Sequence, residues 1–161
     1  FRHTVVLLGE HGPEGAVGVV INRPLEVTVA EAVPPLAELV PEGEALYEGG
    51  PVDQTSPVLL GRFSDEAAPD VPVVGRIGFL TGNVPLEART DLLRARVYAG
   101  YSGWAPGQLE AELAEDAWIV DPAREEDVFD DRPETLWSRV LRRKGPEYRT
   151  MSRMPFDPNM N

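Results

Sequence analysis

The chain has 161 residues, a length that fits a single domain with a substantial buried core. Its 15 basic and 27 acidic residues give a net charge of −12, which opposes direct contact with a nucleic-acid backbone. The absence of cysteine excludes disulfides, thiolate metal sites and a cysteine nucleophile. No apolar run approaches the roughly 18 residues that span a bilayer, and no signal peptide is recognisable, so we expect a cytoplasmic protein.

The first elements predicted are two strands, over 4–8 and 16–21, joined by a loop over 9–15. Glu10 and His11 lie in this loop. They are a weak acid–base or metal signal, because a site needs more convergent groups than two neighbours. Their alternative role is structural, with either side chain bonded to a backbone group or an arginine.

Asn22-Arg23-Pro24 ends the second strand. Asn22 favours an Asx turn, and Pro24 cannot continue a central ladder. The planar fork of Arg23 could hold a carboxylate or phosphate bidentately, or pair with an internal acid.

A capping-box pattern at Thr28 and Glu31 then predicts a short helix, which Pro34-Pro35 interrupts. A strand over 45–48 leads into Glu48-Gly49-Gly50. Paired glycines permit positive φ and could turn backbone N–H groups outward as an anion nest. No Gly-Lys-Ser or Gly-Lys-Thr follows, so this is not a Walker loop, and a tight turn is the favoured interpretation.

The middle of the chain predicts a strand over 58–62, an exposed acidic loop over 64–72 and a strand over 73–80 bent at its glycines. A helix is then predicted over 85–95 from its leucines.

Residues 96–122 predict a strand, a tight loop, a helix and a second strand over 118–120. The helix is expected to start at Pro106, a residue suited to a first turn. Tyr101 and Trp104 lie between glycines where we expect a sharp bend, and where their rings could form the floor of a recognition surface. The alternative for Trp104 is a lid on the core.

The C-terminal part predicts one or two acidic helical turns over 124–129 and a helix starting at Pro133. Leu136, Trp137, Val140 and Leu141 would form its core face. Arg139, Arg142, Arg143 and Lys144 make the only compact basic patch of the sequence, which we interpret as solvated and complementary to the helix dipole. The tail beyond residue 146 could drape over the domain or dock on a partner.

Several motifs, in order along nearly the whole chain, strongly resemble those of the bacterial YqgE/AlgH family. The most specific is Tyr-Ala-Gly-Tyr-Ser-Gly-Trp-Ala-Pro-Gly-Gln-Leu-Glu at 98–110, and the others lie at 4–8 with Glu10-His11, at 18–24, at 48–52 and at Leu136-Trp137. Irregular alternation of strands and helices already indicates an α+β fold. The resemblance implies more: a single domain over 1–161 with a bent, bifurcated mixed β-sheet that forms a pseudo-barrel, with helices packed outside. It also implies an N-terminal strand that relatives carry before the position of Phe1.

The family is described as transcriptional regulators or as uncharacterised, with no agreed catalytic residues. We therefore predict a non-enzymatic binding or regulatory protein that acts indirectly on an unknown protein or small-molecule partner, with no cofactor, no metal and no membrane association. The predicted ligand-binding residues, expected to share one cleft, are Glu10, His11, Asn22, Arg23, Glu48, Gly49, Gly50, Tyr101, Trp104 and Gln108. The alternatives are a hydrolase or other enzyme using Glu10, His11 and Glu48, and a scaffold or oligomer subunit that docks through its tail.

Overall fold

The computed structural model describes residues 3–65, 69–80 and 90–154. Its centre is one mixed sheet whose strands run, in chain order, Val6–Gly12 (β1), Gly15–Val20 (β2), Pro24–Thr28 (β3), Ala45–Glu48 (β4), Val52–Phe63 (β5), Val71–Val74 (β6), Ile77–Leu80 (β7) and Leu92–Trp104 (β8). The spatial order is β1-β2-β8-β5-β7-β6, and β4 branches from β8 with β3 beside it.

The long strand β8 explains why the sheet divides. Its middle pairs in parallel with β4, where Tyr47 lies opposite Tyr98. Its last residues pair with β2 instead, where Ala16 lies opposite Trp104. One edge of β8 therefore serves two strands in turn, and the predicted bifurcated sheet is confirmed.

The sheet curls until its two ends approach each other. Gly9 in β1 lies so close to β7 that a Cβ atom there would be 2.6 Å from a ring carbon of Phe79. The sheet is thus nearly closed, which confirms the predicted α+β pseudo-barrel.

Helices cover the outside of this sheet. They are Val29–Ala32 (α1), Gln108–Ala114 (α2), Glu125–Val128 (α3), Pro133–Lys144 (α4) and Arg149–Ser152 (α5), with 3₁₀ helices at Pro34–Leu39 and Pro146–Tyr148. The capping box of α1 forms as predicted, with Thr28 and Glu31 bonding each other's backbone. Among the described residues, no helix has the length and apolar character needed to cross a membrane.

The predicted tight loop after residue 99 is wrong. β8 continues through Gly100, Tyr101 and Trp104, because β2 and β5 supply ladder partners on both of its edges. Gly100 has φ 74°, and Tyr98 and Tyr101 pack against the same core although they are three residues apart. The glycine thus shifts the strand's alternation by one residue, as a bulge does. The chain turns only afterwards, and Gly107, at φ 77°, caps α2.

Other boundaries also differ from the predictions. The segment 9–12 lies in β1 rather than in a loop, and 73–80 divides into β6 and β7 at Gly75, whose φ is 53°. Residues 118–120 have no ladder partner among the described strands, so the predicted strand there is wrong. The predicted helix over 85–95 falls partly outside the described residues, and its part over 92–95 belongs to β8.

Candidate functional site

A shallow hollow of about 200 Å³ opens where β2 ends, β3 begins and β4 ends. Three predicted site residues, Arg23, Glu48 and Gly50, line it together with Thr4, Val20 and Pro51. The backbone fixes this arrangement, because Glu48 N donates to Arg23 O at 2.8 Å. The hollow therefore combines one guanidinium and one carboxylate from neighbouring strands, a pair that can orient a polar ligand.

Gly49 lies where the chain leaves β4 and passes close over β8 to reach β5. A Cβ atom on Gly49 would lie 2.3 Å from Gly100 O, so only glycine fits. Gly49 N donates to Ala99 O at 2.9 Å, and Gly49 O accepts from Val20 N at 2.9 Å. Since both backbone groups are already bonded, the anion-nest hypothesis is wrong for Gly49.

Asn22 anchors the N-terminal segment. Its Oδ1 accepts a hydrogen bond from Val5 N at 2.9 Å, and its Nδ2 donates to His3 O at 2.8 Å. The side chain is thus committed to residues 17 and 19 positions earlier in the chain, not to an Asx turn beyond it. This geometry gives Asn22 a structural role at the edge of the hollow.

A second polar group surrounds α2. Trp104 and Trp118 both donate their indole N–H to Oε1 of Glu112, at 3.1 and 2.8 Å, and Gln108 Nε2 donates to Oε2 at 3.0 Å. The two indole rings meet edge to face with centroids 5.8 Å apart. The bond from Trp118, followed by those from Trp104 and Gln108, lowers the pKa of Glu112 against the opposing effect of burial. Trp104 is 7% exposed and packs with Ala16 and Leu109, so its ring belongs to the core.

His11 belongs to this second group. Its Nε2 contacts Oε1 of Glu110 on α2, which ties the helix to the β1–β2 hairpin. Glu10 precedes it in the same strand, where successive side chains point to opposite faces, and both side chains are exposed. Glu48 lies on a different strand, β4, opposite Ala99 of β8. The predicted combination of Glu10, His11 and Glu48 is therefore not assembled in this structure.

The predicted residues accordingly form two groups and not one cleft. Trp104 lies opposite Ala16 at the start of β2, while Asn22 lies beyond the end of the same strand. Tyr101 lies between the groups, half-buried against the main core and opposite Val52. Ligand binding by either group stays a prediction.

Residues 3–65, 69–80 and 90–154 contain no group of three or more His, Asp or Glu side chains placed to hold a metal ion. Glu112, the acceptor at the middle of the second group, was not among the residues predicted from the sequence. The i, i+4 spacing of Gln108 and Glu112 on a helix is the signal that could have identified it.

The fold and these groups together describe an α+β pseudo-barrel with two polar surface clusters, and comparison with known proteins gives its family. A family model described as DUF179, AlgH-like, matches residues 1–149. The chain belongs to this AlgH-like family, also called YqgE/AlgH or UPF0301.

Relatives and solved structures agree with that assignment. A UPF0301 protein of Streptomyces avermitilis is 40% identical over 100% of this chain and 87% of its own length. The crystal structure of a protein from Corynebacterium diphtheriae matches with a TM-score of 0.83 and 31% identity, over 96% of this chain and 84% of that one. The solution structure of the AlgH protein from Pseudomonas aeruginosa matches with a TM-score of 0.71 and 29% identity, over 98% of this chain and 91% of that one.

Proposed function

We propose that this protein is a non-enzymatic binding or regulatory protein of the cytoplasm, which recognises a protein or a small molecule and influences transcription without contacting DNA. The state of the basic patch on α4 carries this proposal. Arg139 holds both oxygens of Asp130 at 2.7 Å, and Arg143 bonds Asp127 at 2.9 Å and Asp121 at 3.0 Å. These pairs replace the solvated patch expected from the sequence.

Lys144, the last residue of the same helix, also bonds the segment before the helix. Lys144 Nζ donates to Val120 O at 2.6 Å. Three of the four basic residues of α4 thus hold the 120–130 segment in place, and carboxylates compensate the charges of Arg139 and Arg143. DNA binding needs cations that can replace counterions along the phosphate backbone, so α4 is poorly suited to it.

The hollow between Arg23 and Glu48 is the surface that best suits a ligand. It lies at the ends of three strands, where the backbone hydrogen bonds hold its rim in place. Gln54 also reaches Glu48 Oε1, at 3.4 Å, so the carboxylate is held but not enclosed. A partner with one cationic and one anionic group would match this pair of side chains.

Fluorescence anisotropy with a labelled DNA duplex of ~30 base pairs tests the first half of the proposal. We expect no saturable binding at ~10 μM protein and ~50 mM salt, conditions that favour electrostatic association. Saturable binding that weakens steeply as the salt concentration rises would contradict the proposal that the protein acts without contacting DNA.

Thermal-shift screening of metabolites and short peptides tests the second half. Compounds that stabilise the wild type should lose their effect in Arg23→Gln and Glu48→Gln, and keep it in Glu26→Gln, an exposed carboxylate on β3. Turnover of ester, phosphate or nucleotide substrates that is lost in His11→Ala would instead support an enzyme.

A further inference from the structure

Three arginines share one face of the paired strands β5 and β8, and none of them belongs to the two groups described above. Arg62 lies directly opposite Arg94, and Arg96 follows two residues later, on the same face of β8. Their guanidinium carbons are 6.0, 5.2 and 5.6 Å from the ring centroid of Phe129. One aromatic ring therefore gathers three positive charges by cation–π contact.

The positive charge of Arg96, the most buried of the three arginines, is compensated by a carboxylate. Arg96 is 3% exposed, its Nε lies 3.4 Å from Glu44 Oε1, and its Nη1 donates to Val128 O at 3.1 Å. The ring of Tyr47 also lies 4.5 Å from its guanidinium carbon. Arg96 thus fixes Phe129 and the strand face, and we assign it a positioning role.

The two outer arginines are not compensated in this way. Arg94 lies 3.7 Å from Asp131, whose side chain is 87% exposed, and such contacts contribute little in water. Within residues 3–65, 69–80 and 90–154, the Arg62 guanidinium contacts the Phe129 ring and has no carboxylate within ion-pair distance. Three cations therefore face two carboxylates, an excess of positive charge in a protein of net charge −12.

Like charges directly opposite each other in a sheet are destabilising, so the Arg62–Arg94 pair has a cost that an anion would remove. Each guanidinium group is a planar fork of N–H donors, which matches phosphate oxygens bidentately. We propose that Arg62 and Arg94, over the Phe129 ring, form a binding site for a small phosphate-bearing anion. The site uses other residues than the Arg23–Glu48 hollow, so it is independent of the function proposed above.

The surroundings favour a small anion over a nucleic acid. The segment after α3 carries Asp130 and Asp131 next to Phe129, and α3 itself begins with Glu125 and Glu126. Asp131, whose side chain is 87% exposed, would repel a long phosphate backbone, whereas a small anion needs only the two forks. Asp131 is the competing acid that such an anion would displace from Arg94.

Isothermal titration of the full chain with pyrophosphate, against chloride at equal ionic strength, tests the site. We expect saturable binding with a Kd of about 1 mM or tighter, and about tenfold weaker binding by Arg62→Gln, which loses one charge-assisted fork. Arg124→Gln is the matched control, because Arg124 is half-exposed and paired with Glu126 at 3.6 Å on the surface. Its affinity should equal that of the wild type.

Two further variants separate binding from stability. Asp131→Asn removes the competing acid at an exposed position and should raise the affinity several-fold, which a merely structural arginine pair would not explain. Arg62→Lys keeps the charge without the fork and should bind with intermediate affinity. Inorganic phosphate and glycerol phosphate, titrated in parallel, distinguish free phosphate from a phosphorylated metabolite as the source of the anion.

The proposal is overturned if the wild type shows no saturable binding below about 5 mM pyrophosphate. It is equally overturned if Arg62→Gln and Arg124→Gln bind alike. Neither result bears on the hollow, whose test uses different residues and ligands.

Discussion

Glu112 organises the second polar group through a single carboxylate. Oε1 accepts from two indole groups, one on the last residue of β8 and one beyond α2, and Oε2 accepts from Gln108 within the helix. These bonds hold a strand end, a helix and the following extended segment together. Because a shared acceptor fixes all three donors, its loss affects elements on both sides of the helix.

Glu112→Ala removes this acceptor and should lower the free energy of unfolding by about 1 to 3 kcal/mol, the usual cost of depriving buried donors of a partner. Urea unfolding followed by tryptophan fluorescence measures it. Glu115→Ala, at an exposed position just after the same helix, should change stability little. Equal effects of the two substitutions would mean that the hydrogen bonds to Glu112 contribute nothing.

At the scale of elements, the connection from β4 to β5 can pass close over β8 because it begins with two glycines. Gly49 and Gly50 bring the β4 end within van der Waals distance of the Gly100–Ser102 backbone, and Ser102 Oγ donates to Gly49 O at 3.2 Å. The branch point of the sheet and the rim of the hollow are therefore the same few residues. A change that separates the strands also deforms the hollow.

Gly49→Ala should destabilise the protein by about 3 kcal/mol, because its Cβ would lie 2.3 Å from Gly100 O and backbone cannot easily yield. Chemical denaturation gives the value. Gly12→Ala is the control, since a Cβ there meets nothing within 4 Å. If the Gly49→Ala variant were as stable as the wild type, the two strands could separate without cost.

α4 is held against the 121–130 segment by its arginines. Arg143 bonds two carboxylates, with the side chains of Arg143, Asp121 and Asp127 20%, 18% and 12% exposed. Such a partly buried network is costly to break from one side, because the acids keep their charge without their partner.

Arg143→Gln should therefore lower the free energy of unfolding by about 2 kcal/mol, a value reduced for the partial exposure of the pair. Arg142→Gln, on the exposed side of the same helix, should have almost no effect. Thermal unfolding of both variants compares them directly. Equal melting temperatures would contradict the assigned role of the Arg143 network.

At the scale of the whole molecule, the excess of acidic residues makes the stability of the fold depend on pH. A bond from Arg139 lowers the pKa of Asp130, and a bond from Trp118 lowers the pKa of Glu112. The ordinary values are 3.8 and 4.5, so the unfolded chain binds these protons at a higher pH than the folded protein does. The stability they contribute is present above the ordinary pKa values and is lost as the pH falls through the lowered ones.

Urea unfolding between about pH 7 and pH 3 should show the free energy of unfolding falling below about pH 4. Arg139→Gln should reduce that slope, since Asp130 would lose its main partner. Arg142→Gln should keep the slope of the wild type. An unchanged slope in Arg139→Gln would mean that other carboxyl groups dominate acid unfolding.

The sequence predicted the local features well. The Thr28–Glu31 capping box, the strand Ala45–Glu48 and the helix starting at Pro133 follow from nearest neighbours and periodicity, which act within a few residues. The family motifs also indicated the α+β pseudo-barrel. Arg23, Glu48 and Gly50, all predicted as site residues, line one hollow.

Other features were decided by contacts between distant segments. Tyr101 and Trp104 lie between glycines that locally predict a bend, yet β2 and β5 pair with them and continue the strand. The sequence predicts a solvated basic patch on α4 because Asp121, Asp127 and Asp130 precede the helix and share no helical spacing with its arginines. The fold brings the 121–130 segment against the helix, and the arginines pair with these acids there.

The sequence by itself thus determined the charge of the molecule, its short elements and its family, because composition, capping and strongly specific motifs are properties of neighbouring residues. Only the tertiary structure decided which strands share β8, that the predicted cleft divides into two groups, and that Arg62 meets Arg94 over Phe129. The physical reason is that strand pairing and register join residues tens of positions apart, and nothing in the local sequence records which partners they find.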